Sequence, residues 1–76
     1  TEEFEEAIYW CEQILAKDRT WEESYRLLMF CYYHKNNRPQ AIKWYKKCIA
    51  ALEEELGVEP MQPTKQMYEM VLQTQK

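Results

Sequence analysis

Cysteine and histidine are the side chains in this sequence that could carry metal or nucleophile chemistry. Cys31 and His34 lie three residues apart, so on a helix they would share one face. A structural zinc site needs about four ligands, and a cysteine nucleophile needs a base and an orienting third group. The sequence holds a single histidine, and the pair of Cys31 and His34 is too small for either kind of site. The single glycine, Gly57, also excludes a glycine-rich phosphate-binding loop. We therefore predict a non-enzymatic chain with no catalytic residue, metal or cofactor.

The three cysteines, Cys11, Cys31 and Cys48, stand among apolar residues, and no two of them have CxxC spacing. We interpret them as reduced and buried small side chains, which is typical of a cytoplasmic protein. No run approaches the roughly 18 apolar residues of a membrane span. We predict a cytoplasmic location without membrane contact. Because Thr1 begins within a helical pattern, we expect these residues to be a fragment of a longer chain.

The charge balance argues against direct contact with nucleic acid. The net charge is −3 and the isoelectric point is about 5.1, whereas a DNA-binding domain usually has a basic face and a value above about 9. Lys43, Lys46 and Lys47 form a basic patch, and glutamate fills positions 53–55. We interpret both as solvated faces. For the lysines, a docking surface for an acidic partner or for a DNA backbone is the alternative.

Apolar residues at spacings of three and four predict four helices. Their expected bounds are 2–16, 21–34, 39–56 and 64–74. The second segment is apolar nearly all round, so we predict that it is the central helix, packed between the first and the third. Met67 and Met70 on the fourth segment are interpreted as core residues rather than as a recognition groove, and a patch covered by another subunit is the alternative.

Local signals predict where these helices begin and end. Thr20 followed by Glu23 has the spacing of a capping box at the start of the second helix. Asn36 can adopt the left-handed conformation that ends a helix, and Pro39 suits the first turn of the next one. Gly57 is the expected stop of the third helix.

A repeat relates the first and third segments. The pattern Ala-Ile-x-Trp within residues 6–10 is repeated within residues 40–44, which places Ala7 and Ala41 in equivalent positions 34 residues apart. This period is that of tetratricopeptide repeats. We predict an all-α domain over 1–76, built as a right-handed array of tetratricopeptide-like antiparallel hairpins. The positions expected to define it are Ala7, Tyr25, Leu28, Tyr32, Ala41, Tyr45, Cys48, Gly57 and Pro60. A neighbour missing from the array would leave aromatic surface exposed near Phe4, Tyr9 or Trp21.

One stretch is more specific than the repeat. Residues 52–60, which end in Glu-Leu-Gly-Val-Glu-Pro, and the pattern at 64–72 resemble the end of the bacterial transcriptional activator domain. That domain is the tetratricopeptide-like domain of the antibiotic-regulatory-protein family of bacterial regulators. Residues 26–29 and 38–42, on either side of a tyrosine-rich turn, resemble it as well.

The resemblance implies a protein-interaction or oligomerisation module of a transcriptional regulator. In that family the domain usually follows a winged-helix DNA-binding domain. The implied partners are that DNA-binding domain, another subunit such as a second copy, or the transcription machinery. Whether the full chain carries a winged helix, a two-component receiver domain, or neither stays open.

The sequence also suggests a binding surface. In this fold the first helix of each repeat lines the inner surface, and by spacing Glu23, Arg26, Phe30 and Tyr33 would face it. Aromatic residues and arginine dominate binding energies at interfaces. The alternative is that these residues cover the fourth helix or a missing neighbour. A competing function is a generic tetratricopeptide adaptor, for example one gripping a C-terminal carboxylate. The asparagine that such a clamp needs one turn after Arg26 is replaced by Phe30.

Overall fold

Four α-helices joined by short connections make up residues 2–73, the part of the chain that the computed structural model describes. They are α1 (Glu2–Lys17), α2 (Glu22–His34), α3 (Arg38–Glu55) and α4 (Gln62–Gln73). Those residues contain no β-strand. The prediction of an all-α, tetratricopeptide-like fold is confirmed. Thr74, the expected end of the fourth helix, lies outside the described residues.

Helix α2 is central, as predicted, because it packs against each of the other three helices. Two buried clusters meet along it. The first joins α1, α2 and α3 through Ile8, Cys11, Leu15, Tyr25, Leu28, Cys31, Cys48, Ala51 and Leu52. The second joins α2, α3 and α4 through Met29, Ala41 and Val71, all of which are fully buried.

The nine predicted repeat positions differ in burial, and one of them, Gly57, is exposed. Buried positions are Tyr25, Leu28, Ala41 and Cys48, and partly buried ones are Ala7, Tyr32, Tyr45 and Pro60. The hydroxyl of Tyr25 donates to the carbonyl oxygen of Arg19 at 2.7 Å, which ties the α1–α2 turn to the core. The ring of Tyr45 stacks on that of Tyr68 at a centroid distance of 3.8 Å, which joins α3 to α4.

The start of α2 differs from the prediction. Trp21, not Thr20, precedes the first helical residue, and no side chain caps it. The Thr20 hydroxyl instead donates to Asp18 Oδ1 at 2.8 Å, and the Thr20 backbone N–H donates to the same oxygen at 3.0 Å. The predicted capping box with Glu23 is therefore wrong, because α2 begins one residue later than the box requires and the Thr20 side chain belongs to a local turn closed by Asp18.

The other turn signals are confirmed. Asn36 has a φ of 62° and Gly57 a φ of 66°, so both take the left-handed conformation at a helix end. Asn37 caps α3, and its side-chain oxygen accepts from the backbone N–H of Gln40 at 3.3 Å. Pro39 follows in the first turn, where its missing N–H costs no intrahelical hydrogen bond.

The fourth helix begins two residues earlier than expected. It starts at Gln62, so that Pro63 lies within its first turn. The linker between α3 and α4 is therefore residues 56–61. The backbone N–H of Thr64 donates to the carbonyl oxygen of Met61 at 3.0 Å, which closes this turn. Of the two methionines interpreted as core, Met67 is partly buried against the second cluster, whereas Met70 is exposed.

The close approach at Ala41 gives a test of the packing. Ala41 is fully buried against the cluster of Met29 and Val71, so Ala41→Trp should unfold or strongly destabilise the hairpin. Overpacking of this kind costs about 1–3 kcal/mol or more. Each kcal/mol corresponds to about 4–8 °C in the melting temperature of a domain of this size. The matched control is Ala50→Trp, because Ala50 is an exposed alanine on the same helix. Equal melting temperatures for both variants, measured by circular dichroism, would refute this placement.

Candidate functional site

The cysteines and the histidine do not assemble into a reactive site. All three thiols are buried, and none is in a disulfide. Burial raises the pKa of Cys11 and of Cys31, and it raises that of Cys48 to about 12, with a further contribution from the charge of Glu22. His34 is exposed, while Cys31 is 1% exposed. No cluster of three or more potential metal ligands occurs among residues 2–73.

His34 lies in a cluster of aromatic side chains. Its ring centroid is 4.3 Å from that of Phe30, 5.1 Å from that of Tyr33 and 6.1 Å from that of Phe4. Phe4 and Phe30 also make an edge contact, with centroids 6.4 Å apart. The histidine therefore has a packing role between the start of α1 and the end of α2.

One face of α2 remains uncovered and carries two adjoining hollows, which we call the linker hollow and the α4 hollow. The linker hollow has a volume of about 550 Å³ and is lined by Thr20, Trp21, Glu22, Glu23, Arg26, Leu52, Leu56, Val58, Glu59 and Met61. The α4 hollow has a volume of about 330 Å³ and is lined by Glu23, Arg26, Leu27, Phe30 and Met67. The hollows share Glu23 and Arg26, so they form one continuous surface, the α2 face.

Three of the four residues predicted for the binding surface lie on this face. Glu23, Arg26 and Phe30 line the hollows. Tyr33 does not line them, and it packs against the cluster of Met29, Ala41 and Val71. The structure also supports part of the alternative interpretation, because the Arg26 guanidinium contacts α4 by donating from Nη1 to the hydroxyl of Thr64 at 3.0 Å.

Most charged groups around the α2 face are engaged. Glu22 is 8% exposed, and its Oε2 accepts from the backbone N–H of Met61 at 2.5 Å. Glu59 and Lys65 form an ion pair at 2.8 Å, which lowers the pKa of Glu59 and raises that of Lys65. Glu23, in contrast, is exposed, and its carboxylate makes no hydrogen bond or ion pair with any residue of the described part of the chain.

Sequence reasoning predicted exposed aromatic surface near Trp21 but missed the other residues on the apolar rim of the face, Leu27, Val58 and Met61. Trp21, Leu27, Val58 and Met61 are 50%, 44%, 51% and 54% exposed, respectively. Helix α2 is packed on more than one side, as predicted, but Leu27 lies on the part of it that no helix covers. A signal was present for the linker, because Val58 and Met61 are apolar residues in a segment that its prolines mark as a connection.

A second uncovered apolar surface lies on α1. Tyr9, Trp10 and Ile14 are 54%, 60% and 41% exposed. In the 34-residue repeat Trp10 corresponds to Trp44, which is partly buried with its ring centroid 6.1 Å from that of Tyr25. The predicted exposure of aromatic surface near Tyr9 and Trp21 is confirmed, whereas Phe4 is partly buried.

The two charged patches named from the sequence are on the surface. Lys43, Lys46 and Lys47 are exposed, and the ammonium group of Lys47 lies 4.5 Å from the centroid of the Trp44 ring. The glutamates at 53–55 are exposed as well. Arg19 pairs with Glu54 at 3.2 Å and with Glu55 at 2.9 Å, which places a positive charge beside the acidic end of α3.

Comparison with known families identifies the chain. A sequence model described as the bacterial transcriptional activator domain matches residues 1–72. The chain belongs to this family. The resemblance carried by residues 52–60 and 64–72 is thereby confirmed, and the chain is a domain related to transcriptional activators, in a family of regulatory domains rather than enzymes.

Comparisons with curated proteins and with solved structures find no match. Among the helices formed by residues 2–73, none combines the length and the apolar character that crossing a membrane requires.

The raised pKa of Cys48 predicts slow thiol chemistry in this bacterial transcriptional activator domain. At pH 8 a thiol with a pKa of about 12 has about a thousandfold less thiolate than one at the ordinary 9.0. Because the thiolate is the nucleophile, iodoacetamide should label Cys48 only through opening of the fold. Mass spectrometry of labelled peptides, with and without urea, measures this. Labelling of Cys48 at the same rate in folded and in urea-unfolded protein would contradict the buried, protonated thiol.

Proposed function

We propose that this chain is a non-catalytic protein-interaction and oligomerisation module of a bacterial transcriptional regulator, working in the cytoplasm. Its partner is the regulator's own DNA-binding domain, another subunit or the transcription machinery, and it contacts no nucleic acid itself. The observation that carries the proposal is the α2 face, on which Leu27 and Phe30 stay exposed beside Glu23 and Arg26. Membership of a family of transcriptional activator domains supports it.

The energetics of this face favour docking of a protein. Fully burying one large apolar side chain contributes about 1.5–3 kcal/mol, and covering the exposed part of Trp21, Leu27 and Phe30, half of each side chain or less, would contribute a corresponding share of that value. Helix α2, which carries Leu27 and Phe30 and follows Trp21, is fixed by the packing of its other side, since Leu28 and Met29 are fully buried. A partner therefore meets a surface that is ordered before it binds, which reduces the entropic cost of association.

The competing adaptor function, capture of a C-terminal carboxylate, has weaker support. Arg26 is the cation on the α2 face that could bind such a group, and it donates to the hydroxyl of Thr64. The position one turn later is Phe30, which cannot donate a hydrogen bond to a carboxylate.

A substitution on the α2 face of the full-length regulator tests the proposal. Leu27→Glu places a charge on the apolar rim, and because Leu27 is exposed it should change stability by no more than about 0.5 kcal/mol. In a strain that lacks the regulator, complementation with the wild-type gene defines the responsive transcripts. We expect the Leu27→Glu gene to leave those transcripts at the levels of the deletion strain.

Leu72→Glu is the matched control, because Leu72 is 40% exposed, comparable to Leu27 at 44%, and lines neither hollow. This variant should restore the transcripts. Protein levels and melting temperatures are compared for both variants. Full restoration by Leu27→Glu at wild-type protein level would rule out the α2 face as the interaction surface.

A further inference from the structure

We infer that the α2 face receives a protein segment in which a lysine or arginine lies between two apolar side chains. The inference rests on the proposed function and specifies the chemistry of the partner. It depends on three features of the face, namely the pairing of the two hollows, the distance between them and the exposed carboxylate where they meet.

The paired hollows call for two apolar anchors. The linker hollow offers Trp21, Val58 and Met61, each at least half exposed. The α4 hollow offers Leu27 and Phe30. One apolar side chain in each hollow would cover these groups, and both hollows are open to solvent on the same side of α2 because they share Glu23 and Arg26 as lining residues.

The distance between the hollows sets the spacing of the anchors. Trp21 and Leu27 are six residues apart, which corresponds to about 9 Å along the helix axis. A polyproline-type segment rises about 3.1 Å per residue and repeats its side-chain direction every three residues. Anchors three residues apart in such a segment therefore reach both hollows from one side. The backbone between them passes over the junction at Glu23, and its two side chains point about 120° to either side of the anchors. A side chain as long as lysine or arginine can bend back from there to Glu23.

The charge at the junction selects a basic residue there. Glu22 accepts from the backbone of Met61, and Glu59 is paired with Lys65. The charge of Arg26 remains at the junction, because its hydrogen-bond partner Thr64 is neutral. Three glutamates against this one arginine nevertheless make the lining of the linker hollow negative. The carboxylate of Glu23 has no hydrogen-bond or ion-pair partner among residues 2–73, so a lysine or arginine from the partner would pair with it. An acidic residue would meet Glu23 and the net charge of −3 instead.

Selection from random peptides displayed on phage tests this inference with a defined probe. The immobilised wild-type protein should enrich sequences with two apolar residues three apart and a lysine or arginine between them. A synthetic peptide of the selected sequence is then titrated against variants by fluorescence anisotropy. Glu23→Lys should weaken its binding about tenfold, because the substitution replaces a contact between opposite charges by one between like charges.

Two controls separate local charge from other effects. Glu12→Lys makes the same change in net charge at an exposed glutamate that lines neither hollow, and it should leave the affinity within about twofold. A second peptide carries glutamate in place of its basic residue. It should bind Glu23→Lys more tightly than it binds the wild type, an exchange of preference that loss of stability alone cannot produce.

The outcomes distinguish this inference from the proposed function. Selected peptides without a basic residue, or with equal affinity for wild type and Glu23→Lys, overturn the inference; loss of their binding in Leu27→Glu would still support docking on the α2 face. Peptides whose binding survives Leu27→Glu overturn both. Enrichment of acidic sequences also overturns the inference. Binding of a synthetic peptide that is lost when its C-terminal carboxylate is amidated overturns it as well and favours the adaptor function. Failure to enrich any sequence overturns the inference as well.

Discussion

The packing of α2 against three other helices is the constraint on which the rest of the structure depends. Consecutive residues of a helix point about 100° apart, so Leu28 and Met29 enter different clusters, one shared with α1 and α3 and the other with α3 and α4. The second cluster also needs Ala41, because a larger side chain would hold α3 away. With these directions filled, the part of the helix that carries Leu27 is the one left to solvent. The docking surface is thus a consequence of how the core is packed.

The fold was largely predictable because its determinants are local or periodic. The 34-residue repeat located Ala41, and the left-handed positions Asn36 and Gly57 marked two helix ends correctly. These signals depend on each residue's own backbone and steric properties. The start of α2 was mispredicted because Asp18, two residues before Thr20, draws both the backbone N–H and the hydroxyl of Thr20 into a local turn, and the helix begins one residue later. The spacing of Thr20 and Glu23 alone does not show that such a turn replaces the cap.

The candidate site was only partly predictable, because half of it comes from elsewhere in the chain. Helical spacing identified Glu23, Arg26 and Phe30, but it also included Tyr33, which packs against α4 instead. The end of α4 lies beside the start of α3, because Arg38 Nε donates to the carbonyl oxygen of Val71 at 2.9 Å. The cluster that contains Val71 therefore takes in Tyr33. Val58 and Met61 reach the face only because the linker folds over the start of α2, a long-range arrangement that no local pattern encodes.

The adjacent carboxylates Glu22 and Glu23 show how one helix turn serves both structure and recognition. Glu22 is buried and accepts from the backbone N–H of Met61, so it holds the linker in place and preserves the shape of the hollow. Glu23, one residue on, points its charge to solvent where the hollows meet. Because the surface around the unpaired Glu23 carboxylate is already ordered, it can discriminate among partners by their charge with little loss of conformational entropy on binding. The uncovered α1 surface around Trp10 is different in kind, because its repeat equivalent Trp44 packs within the array. A helix packed against Trp10 would repeat the environment of Trp44 and so extend the helical array.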